Sequence, residues 1–126
     1  MITRAQPDPQ RAQALRATAA TTLVRLTETR QEAFPANTLI DYYDTLHQLM
    51  EAILCDLGRR ARGNGAHKEL IDFLALHGVF DEGTRIFLQE LRERRNRMQY
   101  DGTAIPWEYV ANKRERILKI IKELSW

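Results

Sequence analysis

Cysteine is almost missing from this chain. Its one thiol, Cys55, excludes an internal disulfide and offers no zinc-ligand spacing. No apolar run approaches the length a bilayer demands, and no basic stretch followed by an apolar one opens the sequence. The expectation is a cytoplasmic protein with no membrane contact. Charge of one sign is lacking too: 19 basic residues against 17 acidic ones leave a net charge of only +2. That balance does not mark a protein dominated by electrostatic attraction to nucleic acid. Apolar–polar alternation of the strand type is absent, and the breakers fall only at joints between periodic segments. There is no glycine-rich phosphate loop, no nucleophile elbow and no low-complexity tract.

What remains is a chain of 126 residues, 44% apolar and 29% charged, long enough for one hydrophobic core and too apolar for disorder. Residues 1–9, with Pro7 and Pro9, read as a disordered tail, and residues 10–126 as one helical domain. The first helix is predicted from about Gln10 to Ala33, using Leu15, Leu23 and Leu26. It stops near Phe34 because a residue before proline is pushed out of the helical region. The second begins near Asn37 or Thr38, where Thr38 and Asp41 have capping-box spacing. Its apolar positions, Leu39, Tyr42, Tyr43, Leu46, Leu49, Met50, Ile53, Leu54 and Leu57, cover about half the circumference, so this helix is predicted to be central. Gly58 closes it, and Arg59 to Ala66 is the clearest loop.

A short helix from about Lys68 to His77 ends at Gly78, a natural C-terminal cap. Asp81-Glu82-Gly83 reads as a turn, after which a fourth helix runs from about Thr84 to Tyr100 with Gly102 just beyond it. Pro106 suits the first position of a last helix, Trp107 to about Leu124. The fold class expected is all-α, an antiparallel four- to five-helix up-and-down bundle.

The most informative stretch is Leu91 to Gly102. At 100° per residue, Phe87, Leu88, Leu91 and Met98 form the apolar stripe of the fourth helix, and Arg95 falls inside that arc. An arginine there must be paired or must reach a wet groove, because an unpaired buried charge is very costly. Arg92, Arg95, Asn96, Gln99 and Tyr100 share one broad face. Asn96 and Tyr100, one turn apart, can touch the same ligand, whereas Arg95 and Tyr100 stand about 140° apart on a straight helix. They converge only if the helix loosens or if two such helices meet across a dimer. An arginine so placed can grip a phosphate with two prongs, and the amide of Asn96 can donate to a phosphate or sugar oxygen.

Each feature also has a plainer reading. Arg95 can pair with Asp41, Asp44 or Glu51 on the second helix and fasten the bundle. The clusters Arg59-Arg60-Ala61-Arg62 and Arg92 to Arg97 serve either as solvated helix ends or as phosphate contacts. His47 borders the apolar face of its helix as a packed, hydrogen-bonded residue, while His67 and His77 flank the short helix. Tyr42 and Tyr43 read as core residues that could otherwise stack on bases. No histidine pair has helical ligand spacing, so no metal and no other cofactor is expected.

Tyr42-Tyr43-Asp44 through Leu57-Gly58, then His67 to Leu74, then Arg94-Arg95-Asn96-Arg97-Met98-Gln99-Tyr100-Asp101-Gly102, resemble the HEPN superfamily. The resemblance covers roughly Leu39 to the C-terminus, and Arg95-Asn96 followed by three residues and then a polar side chain is its most specific element. It implies a helical bundle that commonly dimerises. Many members are metal-independent ribonucleases of toxin–antitoxin or defence systems, often encoded beside a minimal nucleotidyltransferase. Carried over by position, Arg95 matches the family's arginine and Asn96 its polar residue, and Tyr100 stands where a histidine belongs. The resemblance therefore assigns catalysis to Arg95, Asn96 and Tyr100, and contacts with RNA or nucleotide phosphate to Arg92, Gln99 and Asp101. Tyr100 weakens the catalytic reading, since a phenol is a poor base near neutral pH. The rival expectations are a non-catalytic interaction module that partners a nucleotidyltransferase, and a purely structural bundle.

Overall fold

The computed structural model describes residues 1–125. Its elements in order are β1 (Ile2–Arg4), α1 (Pro9–Thr27), a 3-10 turn (Gln31–Ala33), α2 (Pro35–Asp56), β2 (Arg59–Ala61), α3 (Ala66–Leu76), α4 (Glu82–Asp101) and α5 (Trp107–Leu124). The all-α expectation is met: five helices carry the fold, beside one very small sheet.

Helix α1 starts where proline permits. Pro9 takes a first-turn position that needs no N–H, and the Asp8 carboxylate accepts from the Arg11 amide at 3.0 Å. It buries Ala12, Ala19 and Leu26 at heptad spacing, and the two alanines let its backbone lie close on α2. It ends at Thr27, earlier than the expected Ala33. The Gln31 side chain folds back to donate to the Leu26 carbonyl at 3.1 Å, satisfying an end that the sequence pattern could not reveal.

Phe34 lies outside the helical region, as a residue before proline should, and Pro35 opens α2, ahead of the expected start at Asn37 or Thr38. The capping box expected at Thr38 is not formed. Thr38 lies a turn inside the helix, buried, with its hydroxyl donating to the Gln31 carbonyl at 3.3 Å. The central role expected of α2 is met. It packs on α1, α3, α4 and α5, and half of its circumference is buried from Thr38 to Cys55. Leu57 is the exception among its predicted apolar positions, being 47% exposed. One apolar cluster runs from Ala19 and Leu26 through Leu39, Leu46 and Met50 to Leu74, Leu88 and Ile117, so all five helices share a core.

Two corrections concern the ends of that picture. Residues 2–4, expected within a disordered tail, pair antiparallel with Arg59–Ala61, which had read as loop; Ile2 faces Ala61 and Thr3 faces Arg60. Strands of three residues are too short for alternation to register, and Pro7 and Pro9 announce α1 rather than disorder. Gly58 makes the pairing possible. It adopts φ +69°, and a Cβ there would stand 3.1 Å from the Ala5 carbonyl oxygen. Asp81-Glu82-Gly83 is the other correction: Asp81 is the cap of α4, accepting from the Thr84 amide at 2.8 Å, and Glu82 and Gly83 are helical.

The end of α3 follows expectation in detail. Gly78 is left-handed at φ +77°, the Val79 amide donates to Leu74 and the Gly78 amide to Ala75, closing a Schellman motif.

Candidate functional site

Helix α4 lies with Leu88 and Leu91 in the core, and the same face carries Arg95 inward one turn later. Its side chain is only 14% exposed, as its place in the apolar arc required. Three acids on α2 were candidates to pair with it. Arg25 holds Asp41 at 2.5 Å, and Arg11 and His47 both hold Glu51 at 3.1 Å. Asp44 is the one left, and it meets Arg95 Nη2 at 3.5 Å.

That contact is long for a charge-assisted hydrogen bond, which normally closes below about 3 Å. The Asp44 carboxyl agrees with the geometry. Burial pushes it above the ordinary aspartate value, and the attraction of Arg95 does not reverse the shift. The remaining contacts of the guanidinium are weak as well: Nη1 reaches the Asn96 side-chain oxygen at 3.4 Å, and the group stands 5.5 Å over the Tyr43 ring. Arg95 Nε is buried with no hydrogen-bond partner among the described residues. The ion pair expected of a purely structural arginine is thus present and incomplete.

Arg95 borders a pocket of about 260 Å³, open to solvent, between α4 and the segment that leads into α3. Gly63, Asn64, Gly65, Ala66, His67 and Lys68 form one wall, and Arg92, Arg95, Asn96 and Tyr100 the other. The first wall turns through Gly63 and Gly65, both left-handed. Gly65 caps α3 with no side-chain hydrogen bond; the Ala66 amide donates to the Gly63 carbonyl at 3.3 Å, and the His67 and Lys68 amides stay unfilled among the described residues. On the second wall Arg92 is held by its Nε donating to Gln89 at 2.7 Å. The Gln89 amide in turn donates to the Lys68 carbonyl at 3.0 Å, which ties the two walls together.

Four predicted residues therefore meet in one place: Arg92, Arg95, Asn96 and Tyr100. Helix α4 is unbroken through Asp101, so Arg95 and Tyr100 border the pocket from different sides, and Tyr100 is 76% exposed. Gln99 and Asp101 are exposed and do not line it.

Sequence reasoning missed a second group behind Arg95. The His47 and His67 rings stack at 4.0 Å between centroids, with the Tyr43 ring within 6.3 Å of both. Tyr43, His47 and Glu51 recur every four residues along α2, a stripe legible in the sequence. The arrival of His67 from α3 was not legible. His47 Nε2 contacts Glu51 Oε1 at 3.1 Å, and this hydrogen bond holds the Glu51 carboxyl below its usual value. His67 is exposed as a residue, yet partial burial of its ring, the second imidazole and then Arg95 push it down to about 4. Tyr43 is pushed up to about 12 by burial, and its hydroxyl has no partner among the described residues.

Other features carry less chemistry. A larger concavity of about 700 Å³ lies between the start of α4 and the end of α5, lined by charges of both signs, and none of the candidate residues reaches it. No group of three or more metal-ligating side chains gathers among the described residues, and none of their helices is long and apolar enough to cross a membrane. His77 ends α3 with its ring on Phe73. Compared with known proteins, the chain matches no family model, no curated protein and no solved structure.

Proposed function

We propose that this chain is a HEPN-like bundle that binds RNA through its backbone phosphates in the pocket between α4 and the Gly63–Lys68 segment. The observation that carries the reading is the state of Arg95: a guanidinium withdrawn from water, loosely paired to Asp44, with an unpartnered Nε, at the wall of an open pocket. A phosphate oxygen supplies what Asp44 does not, namely short charge-assisted hydrogen bonds in a planar, two-pronged geometry. Arg92, Lys68 and the first-turn amides of α3 add positive potential to the same space. Asn96 can bond a ribose or phosphate oxygen, and the exposed Tyr100 ring offers a base a surface on which to stack.

A pocket of about 260 Å³ suits one phosphate and its sugar rather than a long tract. Two copies meeting along α4, as the HEPN resemblance implies, would join two such pockets into one groove. The basic run Arg59-Arg60-Ala61-Arg62 leads directly into the pocket's first wall, so a strand leaving the pocket can follow it.

The test is fluorescence anisotropy with a short single-stranded RNA, in the presence of a chelator. Wild-type protein binds, and Arg95→Ala weakens binding by at least about tenfold, the value of one good charged hydrogen-bond pair. The circular dichroism spectrum stays that of a helical bundle. Affinity that is unchanged in Arg95→Ala would sink the proposal and leave the guanidinium as a fastener. The second reading, a non-catalytic interaction module, draws support from Tyr100, which is exposed where the family resemblance calls for a proton-transferring histidine. Capture of a nucleotidyltransferase by protein that binds no RNA would favour it.

A further inference from the structure

Three cations line the pocket with no acidic side chain among its lining residues, and the imidazole beside them has no fixed charge. We propose that His67 is a conditional phosphate-binding residue: neutral in the empty pocket, it takes up a proton when an RNA phosphate enters and pairs with it as imidazolium. The inference rests on the RNA-binding reading and adds its regulation, since affinity then rises as pH falls.

Geometry leads there first. His67 shares the pocket lining with Lys68, Arg92 and Arg95, so a phosphate gripped by the guanidinium groups has an imidazole beside it. His77 is committed to the Phe73 carbonyl at 2.9 Å and His47 to Glu51 Oε1 at 3.1 Å, whereas the His67 ring has no hydrogen-bond partner among the described residues. The ring is nonetheless held in place, stacked on the His47 ring at 4.0 Å between centroids. A fixed imidazole with free nitrogens at the wall of a cationic pocket is placed to donate to an anion.

The neighbours of the ring set its charge. From α2 come Tyr43, His47 and Glu51, with Asp44 behind them on Arg95; from α4 come Arg92 and Arg95; Lys68 is adjacent on α3. The strands that also touch α3 bring Arg4, Arg59 and Arg60, none of them among the largest influences on the ring. Glu69, further along α3, is engaged by the Met1 ammonium. Partial burial first, then the second imidazole and Arg95, hold His67 down at about 4 in the empty pocket. A bound phosphodiester changes this balance. It brings a full negative charge into hydrogen-bond reach, offsets the guanidinium charges and gives the imidazolium an acceptor. Each unit by which the bound pKa exceeds the free one is a tenfold gain in affinity on the acid side. The gain is therefore present below the bound pKa and lost above it. Arg92 and Arg95 stay charged throughout and supply the affinity that persists at neutral pH.

The experiment measures anisotropy with a short all-uridine RNA, whose bases do not titrate in the range used, at constant ionic strength from about pH 5 to about pH 7.5. Wild type binds about tenfold more tightly at the acid end. Calorimetry in two buffers of different ionisation heat shows the matching proton uptake. His67→Gln binds as wild type does at the neutral end and has no acid gain; the residue is exposed, so folding is not at stake. His47→Phe keeps the stack and removes the second imidazole, so the acid gain persists and sets in at a higher pH. An acid gain that survives in His67→Gln, or that vanishes in His47→Phe, overturns this inference alone. So do equal losses of affinity at both ends of the range in His67→Gln, which would make His67 a wall residue. Wild-type protein that binds RNA with one affinity throughout and takes up no proton overturns it too. Wild-type protein that binds no RNA at any of these pH values overturns the RNA-binding reading and this inference with it.

Discussion

The two sides of α2 keep their charges in different company. Toward α1, Arg11, Arg16 and Arg25 reach Glu51, Asp56 and Asp41 at 3.1, 2.6 and 2.5 Å, all at the rim of a seam closed by Ala12, Ala19 and Leu26. Toward α3 and α4, Arg95 is more deeply withdrawn and meets its acid at 3.5 Å. Tyr43 Oη, His47 Nδ1 and Arg95 Nε are buried there without partners among the described residues. Unpartnered atoms also occur at Arg16, Gln48, Arg94 and Tyr109; those of Tyr43, His47 and Arg95 stand together, with the Tyr43 ring between His47 and the Arg95 guanidinium, and Arg95 borders the pocket. Buried polar atoms are nearly always satisfied in folded proteins. The α1 side of α2 is therefore closed by short ion pairs with Arg16 Nε left over, and the α3–α4 side keeps a looser pair and a larger group of unpartnered atoms.

The largest effect that tests this division belongs to the apolar core beneath both sides. Leu46 is fully buried in the shared cluster. Leu46→Ala is expected to cost about 3 kcal/mol in urea unfolding, the transfer of the lost methyl and methylene groups plus the cavity they leave. RNA affinity of the protein that remains folded should not change. A parallel loss of affinity would show that the pocket and the core are one mechanical unit, which would remove the contrast.

Tyr43 stands on the unfinished side, and its titration gives the next effect. Its folded value of about 12 lies above the ordinary 10.0, so the neutral phenol is the form the fold favours. The resulting stability is fully present below pH 10 and is lost as pH rises through about 12. Two units correspond to roughly 2–3 kcal/mol. Unfolding monitored between pH 9 and 12 should show this decline, and Tyr43→Phe should flatten most of it at little cost at neutral pH, since the hydroxyl it removes has no partner. Tyr109, also raised by burial, is the matched control at the other face of α4. An equal effect in Tyr109→Phe would mean that the two regions do not differ in this respect.

How much of this could be read in the residues depends on range. Helices announced themselves wherever a local signal exists: the proline before α5, the glycine after α3, the apolar stripe of α4. The inward turn of Arg95 was legible for the same reason, since a helical wheel is local. What failed depends on partners distant in sequence. Gln31 ends α1 from outside it, and strand β1 exists only because β2 lies beside it. Asp44 was named among three acids, but choosing it required knowing that Arg25 and Arg11 occupy the other two. His67 entered the site through the loop's path, which no periodicity encodes.

A smaller effect tests how the first wall of the pocket is held. Gly58 and Gly78 share left-handed backbones, at φ +69° and +77°, but a Cβ at Gly78 meets nothing within 4 Å while one at Gly58 crowds the Ala5 carbonyl. Alanine at either position should cost about 1–2 kcal/mol for the backbone alone. Gly58→Ala should lose more, with amide hydrogen exchange of Ala5 and Arg62 accelerated as β1 lifts from β2. Equal losses would mean that the strand pairing does not anchor the segment leading to Gly63–Lys68.

Smallest of all, and most telling, is the stability of an Arg95 variant. A guanidinium that fastens the bundle would be missed: breaking a well-made buried pair by removing one partner costs about 3–5 kcal/mol. Here the pair is long, Asp44 is 41% exposed and can be solvated when left alone, and the arginine pays for its own withdrawal from water. Arg95→Met keeps the packing of the stem against Tyr43 and deletes the charge. Its unfolding free energy should therefore lie within about 1 kcal/mol of wild type, on either side, while RNA binding falls. Stability lost and binding kept would reverse the assignment, placing Arg95 with the ion pairs of the α1 seam. Stability kept and binding lost is what separates a residue that builds the fold from one that the fold holds ready for a ligand.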